Sequence, residues 1–331
     1  MRPRALVICP PDLEGHVFPP SVLQEISQSA NCPLPILDPS KWQEAGDALR
    51  EAEVIFSTWG MPTLASDFLE AAPALKAIFY AAGTVKGFVT DASWERGITI
   101  SSAWAANGVP VAEYALGTIL LSLKRFWHFS RMMREGVSSH AGIRVPGAYQ
   151  TKVGLVSLGA VGRATARLLR PFELSLLAYD PFLPADQAAE LHVGLVSLED
   201  LFRECDVISL HAPWIPETER MITGSLISSM KEGATLINTS RGAIVAEEEM
   251  VDVLMRRPDL TVVLDVTYPE PAAPDSPLRS LPNVVLTPHI AGSMQGECAR
   301  MGSWMASELR RYTMGEPLHH EVTSSMTARM A

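Results

Sequence analysis

Short aliphatic runs alternate with amphipathic stretches along most of this chain. Ala5 to Cys9, Val54 to Ser57 and Leu75 to Tyr80 read as strands, with helical spacing between them. The alternation resumes with Val153 to Leu158, Leu174 to Tyr179, Cys205 to Leu210, Ala234 to Asn238, Leu260 to Leu264 and Val284 to Thr287. Such runs are apolar throughout rather than every second residue. That pattern predicts strands buried on both faces, as in parallel sheets covered by helices. The expected class is α/β, with doubly wound parallel sheets.

Between the two series lies a long apolar stretch, Val109 to Phe129. It predicts one helix, with Pro110 in its first turn. Glu113, Lys124 and Arg125 interrupt it, so a buried helix joining two domains fits better than a membrane span. Gly136 to Gln150 and the proline-rich Pro269 to Pro277 read as surface loops. Gly292 to Glu316 has helical spacing, stopped by Gly315 and Pro317, and the tail from His319 is expected to fray.

The most informative stretch is Thr151 to Pro181. A strand runs into Gly159-Ala160-Val161-Gly162, a helix follows, and a second strand ends on Asp180 about 20 residues on. Strand, glycine turn, helix, strand and acid in that order predict a dinucleotide-binding unit. Gly159 lets backbone approach a pyrophosphate, Gly162 lets the helix pack on the strand, and the helix N-terminus offers unpaired N–H groups. Asp180 suits ribose hydroxyls, which favours NAD over NADP. Ser157 stands where the first glycine usually does. A serine fits there if its backbone keeps a negative φ, so a slightly altered turn is expected.

Most strands leave a polar or turn residue at their carboxyl end, where ligands gather on an open parallel sheet. Gly83 and Thr84, after the third strand, are candidate substrate contacts through backbone N–H groups. Arg241, Glu270 and His289 each follow a strand of the second series. A histidine beside a carboxylate can exchange protons near neutral pH, and an arginine can hold a carboxylate at two points. Next to a nicotinamide site, that set suits interconversion of a 2-hydroxy acid and a 2-keto acid.

These stretches resemble the D-isomer-specific 2-hydroxyacid dehydrogenases, over nearly the whole chain. The likeness rests on AAGTVKGF at 81–88, PVAEYALGTILLSLKR at 110–125, the glycine turn unit, INTSRGAIV at 237–245, LDVTYPEP at 264–271, DSPL at 275–278 and NVVLTPHIAG at 283–292. It implies that Arg241 binds the substrate carboxylate and carbonyl, that His289 is the acid–base and that Glu270 pairs with it. It also implies NAD contacts at Ala160, Val161, Asp180, Ala212 with Pro213, Thr239, Ser240, Arg241, Asp265 and His289, and a homodimer. The chain departs from the family at Ser157, in the Thr84-Val85-Lys86-Gly87 loop, and at Thr267-Tyr268, where an aromatic-first pair is more usual. A Rossmann cofactor domain over 106–294 is expected, inserted in a flavodoxin-like substrate domain formed by 1–105 and 295–331. NAD and substrate are expected in the cleft between them.

Composition narrows the partners. The 331 residues carry a net charge of −10, which argues against nucleic acid and anionic membranes. No apolar run reaches the roughly 18 residues of a membrane span, and the first strand is too short for a signal peptide. Cys9, Cys32, Cys205 and Cys298 are scattered, as expected for reduced thiols in a cytoplasmic protein, and no metal site is expected. The rival reading is a non-catalytic NAD(H)-sensing protein of the same fold. No basic or low-complexity tract supports it. A non-redox enzyme such as a methyltransferase leaves the Arg–Glu–His set unexplained.

Overall fold

The computed structural model describes residues 2–31, 36–328 and 330. Its strands are β1 (Ala5–Ile8), β2 (Val54–Ser57), β3 (Ala77–Tyr80), β4 (Thr99–Ser102), β5 (Tyr149–Val156), β6 (Glu173–Tyr179), β7 (Gly194–Leu195), β8 (Val207–Leu210), β9 (Thr235–Asn238), β10 (Thr261–Leu264), β11 (Val284–Leu286) and β12 (Glu321–Val322). The chain divides into two compact units, Met1–Asn107 with Ser293–Met330, and Gly108–Gly292.

In the first unit the order is β1-β2-β3-β4-β12, with β1 to β4 parallel and β12 antiparallel to β4. Beyond β1, isolated parallel bridges join Arg4 to Asn31 and Ile8 to Leu37. Successive residues of β1 point to opposite faces, each with its own core. Ala5 and Val7 pack with Phe56, Phe79, Ile26, Met301 and Met305. Leu6 and Ile8 pack with Ile55, Ile78, Phe68 and Leu69. Cores on both faces explain why these strands are apolar throughout.

In the second unit the order is β11-β10-β9-β8-β5-β6-β7, with every pair parallel. The order reverses between β5 and β8. At such a point two connections leave to opposite faces and open a crevice at the carboxyl ends. One face buries Leu210, Leu236 and Leu264 under Phe202, Ile227 and Met250. The other buries Leu155, Ile237 and Val263 under Ile119, Ala166 and Leu169.

Three expectations need correction. The single helix over 109–129 is two helices, Trp104–Leu123 and Phe126–Arg134. Arg125 breaks the run with φ +52, and its guanidinium donates to the Asp259 carbonyl at 3.1 Å. Pro110 lies inside the first helix, not in its opening turn, because Trp104 starts it earlier than the apolar run suggests. The tail does not fray from His319. Glu321 and Val322 pair with Ser101 and Ile100, and Val322 is buried. A two-residue strand is too short to leave a pattern in sequence.

The helix Cys298–Met314 ends as its glycine predicts, on Gly315 at φ +70. No helix among the described residues is long and apolar enough to cross a membrane. Cys9, Cys205 and Cys298 are buried free thiols, while Cys32 lies outside the described residues.

Candidate active site

The glycine turn forms as β5 gives way to the helix Ala160–Leu169. Ser157 does not keep a negative φ. It sits at φ +73, in the left-handed region that costs an L-residue about 1–2 kcal/mol. The neighbouring strand holds it there. Ser157 N donates to the Tyr179 carbonyl at 2.8 Å, and Leu158 N donates to Asp180 Oδ2 at 2.7 Å. Gly162 then leaves room, since a Cβ there would meet the Ser157 carbonyl oxygen at 2.2 Å.

The helix Ala160–Leu169 has Gly159 as its N-cap, with no side-chain cap. Its first N–H groups are therefore left for a ligand. A Cβ on Gly159 would meet nothing within 4 Å, so the space beyond the turn is open. Along the same sheet edge the Thr239 hydroxyl and both His211 ring nitrogens are buried with no hydrogen-bond partner among the described residues. Burial lowers the His211 imidazole to about 4. An uncapped helix end, open space above it and unspent polar atoms along the edge fit a dinucleotide. Asp180 serves the turn as well, because its Oδ1 accepts from Phe182 N at 2.9 Å.

The three chemistry-bearing residues lie just past neighbouring strands. After β9, Asn238 braces the turn that carries Arg241. Its Oδ1 accepts from Ser240 N and Oγ at 3.0 and 2.9 Å, and its Nδ2 donates to the Arg241 carbonyl at 2.9 Å. Thr239 and Ser240 are buried beside it. Arg241 Nη1 donates to the Ser240 carbonyl at 2.7 Å. Burial lowers the Arg241 pKa, and the Glu270 charge opposes that. Gly242 allows the next strand end to approach, since a Cβ would lie 2.1 Å from the Thr267 carbonyl carbon.

After β10, Thr267 Oγ1 donates to the Pro269 carbonyl at 2.8 Å and shapes the turn into Glu270. After β11, His289 Nδ1 lies 2.6 Å from Glu270 Oε1. His289 has φ +56. Asp265 holds this stretch. Its carbonyl accepts from His289 N at 3.0 Å, and its carboxylate from Ile290 N at 2.9 Å and Ala291 N at 2.8 Å. Thr287 Oγ1 also donates to Asp265, at 2.6 Å, and shares a hydrogen bond with Tyr114.

The structure thus brings together Arg241, Glu270 and His289. Ala212 and Pro213 follow β8, and the Pro213 carbonyl accepts from Thr218 Oγ1. Gly83 and Thr84 follow β3 in the first unit, where the Gly83 carbonyl accepts from Ser102 Oγ. Sequence reasoning missed Asn238 and the Tyr114–Thr287 pair. Asn238 had one signal, as an amide ending an aliphatic strand.

The chain resembles known proteins over the same ground. Residues 116–291 match the family model "D-isomer specific 2-hydroxyacid dehydrogenase, NAD binding domain". A D-3-phosphoglycerate dehydrogenase of Archaeoglobus fulgidus is 32% identical over 78% of this chain and 49% of its own. The chain therefore spans about half the length of that relative. A glyoxylate reductase of Korarchaeum cryptofilum is 34% identical over 76% of this chain and 77% of its own. The solved apo-structure of D-lactate dehydrogenase from Escherichia coli is 25% identical, covers 97% of this chain and 100% of its own, and has a TM-score of 0.72.

Proposed function

Because the chain belongs to the D-isomer-specific 2-hydroxyacid dehydrogenases and carries their NAD-binding domain, we propose that it interconverts a D-2-hydroxy acid and its 2-keto acid with NAD(H). The observation that carries this reading is the 2.6 Å contact between His289 Nδ1 and Glu270 Oε1, beside Arg241.

The N–H groups of Ala160 and Val161 would hold the pyrophosphate, and Asp180 the ribose hydroxyls. Ala212, Pro213, Thr239, Ser240 and Asp265 would line the rest. When bound, the reduced nicotinamide supplies a hydride to C2 of the keto acid. Arg241 takes the substrate carboxylate in its planar fork. With Nδ1 turned to Glu270, the His289 ring presents Nε2 to the substrate and gives its proton to the keto oxygen. Glu270 acts through His289, by orienting the ring through the Nδ1 contact. Gly83 and Thr84 are proposed to bind substrate through backbone N–H groups.

We also propose a homodimer. Phe126 and Met133, on the helix after Arg125, are 51% and 61% exposed, an apolar surface that suits a second copy. Sedimentation velocity tests it, and a monomer across the working concentration range overturns it. A reducing compartment such as the cytoplasm suits the buried free thiols.

The test of function is NADH oxidation against a panel of 2-keto acids. Turnover with D-stereochemistry in the product is expected. NADH binding without turnover on any acid would instead favour an NAD(H)-sensing protein.

A further inference from the structure

Two large aromatic side chains stand exposed past the carboxyl ends of β8 and β10. Trp214 is 40% exposed and Tyr268 is 55% exposed, and their rings meet edge to face at 5.4 Å. Trp214 follows β8 and Tyr268 follows β10, while β9 lies between those strands. Neighbouring strands are about 4.8 Å apart, so the two rings lean toward each other across a gap of about 10 Å. The segment they span leads from β9 to Arg241. The Tyr268 backbone also packs closely on that segment, because a Cβ on Gly242 would lie 2.6 Å from its nitrogen. Two residues further on, Glu270 meets His289.

The Trp214 ring and the Tyr268 backbone each have a hydrogen-bond partner. Trp214 Nε1 donates to Glu219 Oε2 at 3.2 Å, and Tyr268 N donates to Glu247 Oε2 at 3.2 Å. A solvent-facing aromatic pair at the strand ends that carry Arg241 and Glu270 offers apolar area to whatever extends from a bound acid. Burying such rings is favourable in proportion to the area covered, and aromatic partners add edge-to-face contacts. An acid with only hydrogen at that position gains nothing from them.

We propose that Trp214 and Tyr268 form a specificity wall that selects 2-keto acids bearing an aromatic or bulky apolar C3 substituent. This rests on the oxidoreductase reading above. The pair contributes binding to the substrate side chain and takes no part in proton or hydride transfer.

The test compares kcat/KM for phenylpyruvate and for glyoxylate at saturating NADH, in the parent, Trp214→Ala, Tyr268→Ala and Tyr268→Phe. The phenylpyruvate-to-glyoxylate ratio should fall about 10-fold or more in each alanine variant, the scale of apolar pocket discrimination. Tyr268→Phe should keep the parent ratio, since the ring and not the hydroxyl is used. A ratio within about 2-fold of the parent in both alanine variants overturns the wall. So does a change confined to KM for NADH, read in a separate NADH titration of each variant, which would make the pair a cofactor contact. A parent that turns over neither these acids nor the wider panel overturns the oxidoreductase reading itself, and the wall with it.

Discussion

Asp265 holds His289 in a left-handed conformation. Its carbonyl accepts from His289 N at 3.0 Å, and its two carboxylate oxygens take the next two backbone N–H groups. Three consecutive donors thus converge on one residue, which offsets the cost of a positive φ at a non-glycine position. The side chain named as a cofactor contact in sequence is also the anchor of the histidine.

Asp265→Asn tests this anchor. The amide keeps one acceptor oxygen and turns the other into a donor, facing an N–H group. Displacement of His289 by about 1 Å should cost about 10²-fold in kcat. Steady-state kinetics checks it, alongside NADH binding by fluorescence. Loss of NADH affinity with kcat intact would assign Asp265 to the cofactor alone.

His289→Asn should lower kcat by about 10²–10⁴-fold, the usual worth of general acid–base catalysis. Glu270→Gln should be milder. The amide oxygen can still accept from Nδ1 at that 2.6 Å contact but carries no charge, so kcat should fall while KM for keto acids stays near that of the parent. A parent-like kcat in Glu270→Gln would take Glu270 out of this role.

Arg241→Lys keeps the charge and loses the fork. KM for keto acids should rise while the affinity for NADH stays near that of the parent. The opposite pattern would make Arg241 a cofactor contact.

Asp180 should favour NADH over NADPH, because a carboxylate repels a 2′-phosphate. Equal kcat/KM with the two cofactors would refute the preference. Asp180 also accepts from Leu158 N at 2.7 Å. Asp180→Ala should therefore weaken the turn itself and raise KM for NADH as well as relaxing the preference.

His211 makes stability depend on pH. Burial lowers its imidazole from 6.5 to about 4, so the unfolded chain binds more protons between those values. The stability is fully present above the unfolded value and falls as pH drops through the window, by at most about 3 kcal/mol. Urea unfolding near pH 7 and near pH 4 should show the parent losing about that much more than His211→Gln. An equal loss in both would mean that the ring is protonated in the folded state.

The sheet of the second unit was legible because buried parallel strands announce themselves as aliphatic runs, and the glycine turn because strand, helix and acid flank it. Arg241, Glu270 and His289 were legible because each follows such a run. What sequence could not supply depends on partners remote in the chain. Ser157 takes a positive φ because Tyr179 and Asp180 hold its turn. The helix breaks at Arg125, whose side chain reaches Asp259. Asn238 looks like any strand-ending amide until its three hydrogen bonds are seen.

The short strand β12 has a consequence for solubility. It covers the flank of β4, donating to it and accepting from it where an open parallel sheet would present bare N–H and C=O groups. Such a flank is a template for pairing with another chain. At two residues, β12 offers an incoming strand very little in its place, and the short helix Ser324–Thr327, capped by Thr323, ends it at once. Cutting the chain after His320 would therefore leave Arg241, Glu270 and His289 untouched and still yield a protein prone to edge-to-edge aggregation.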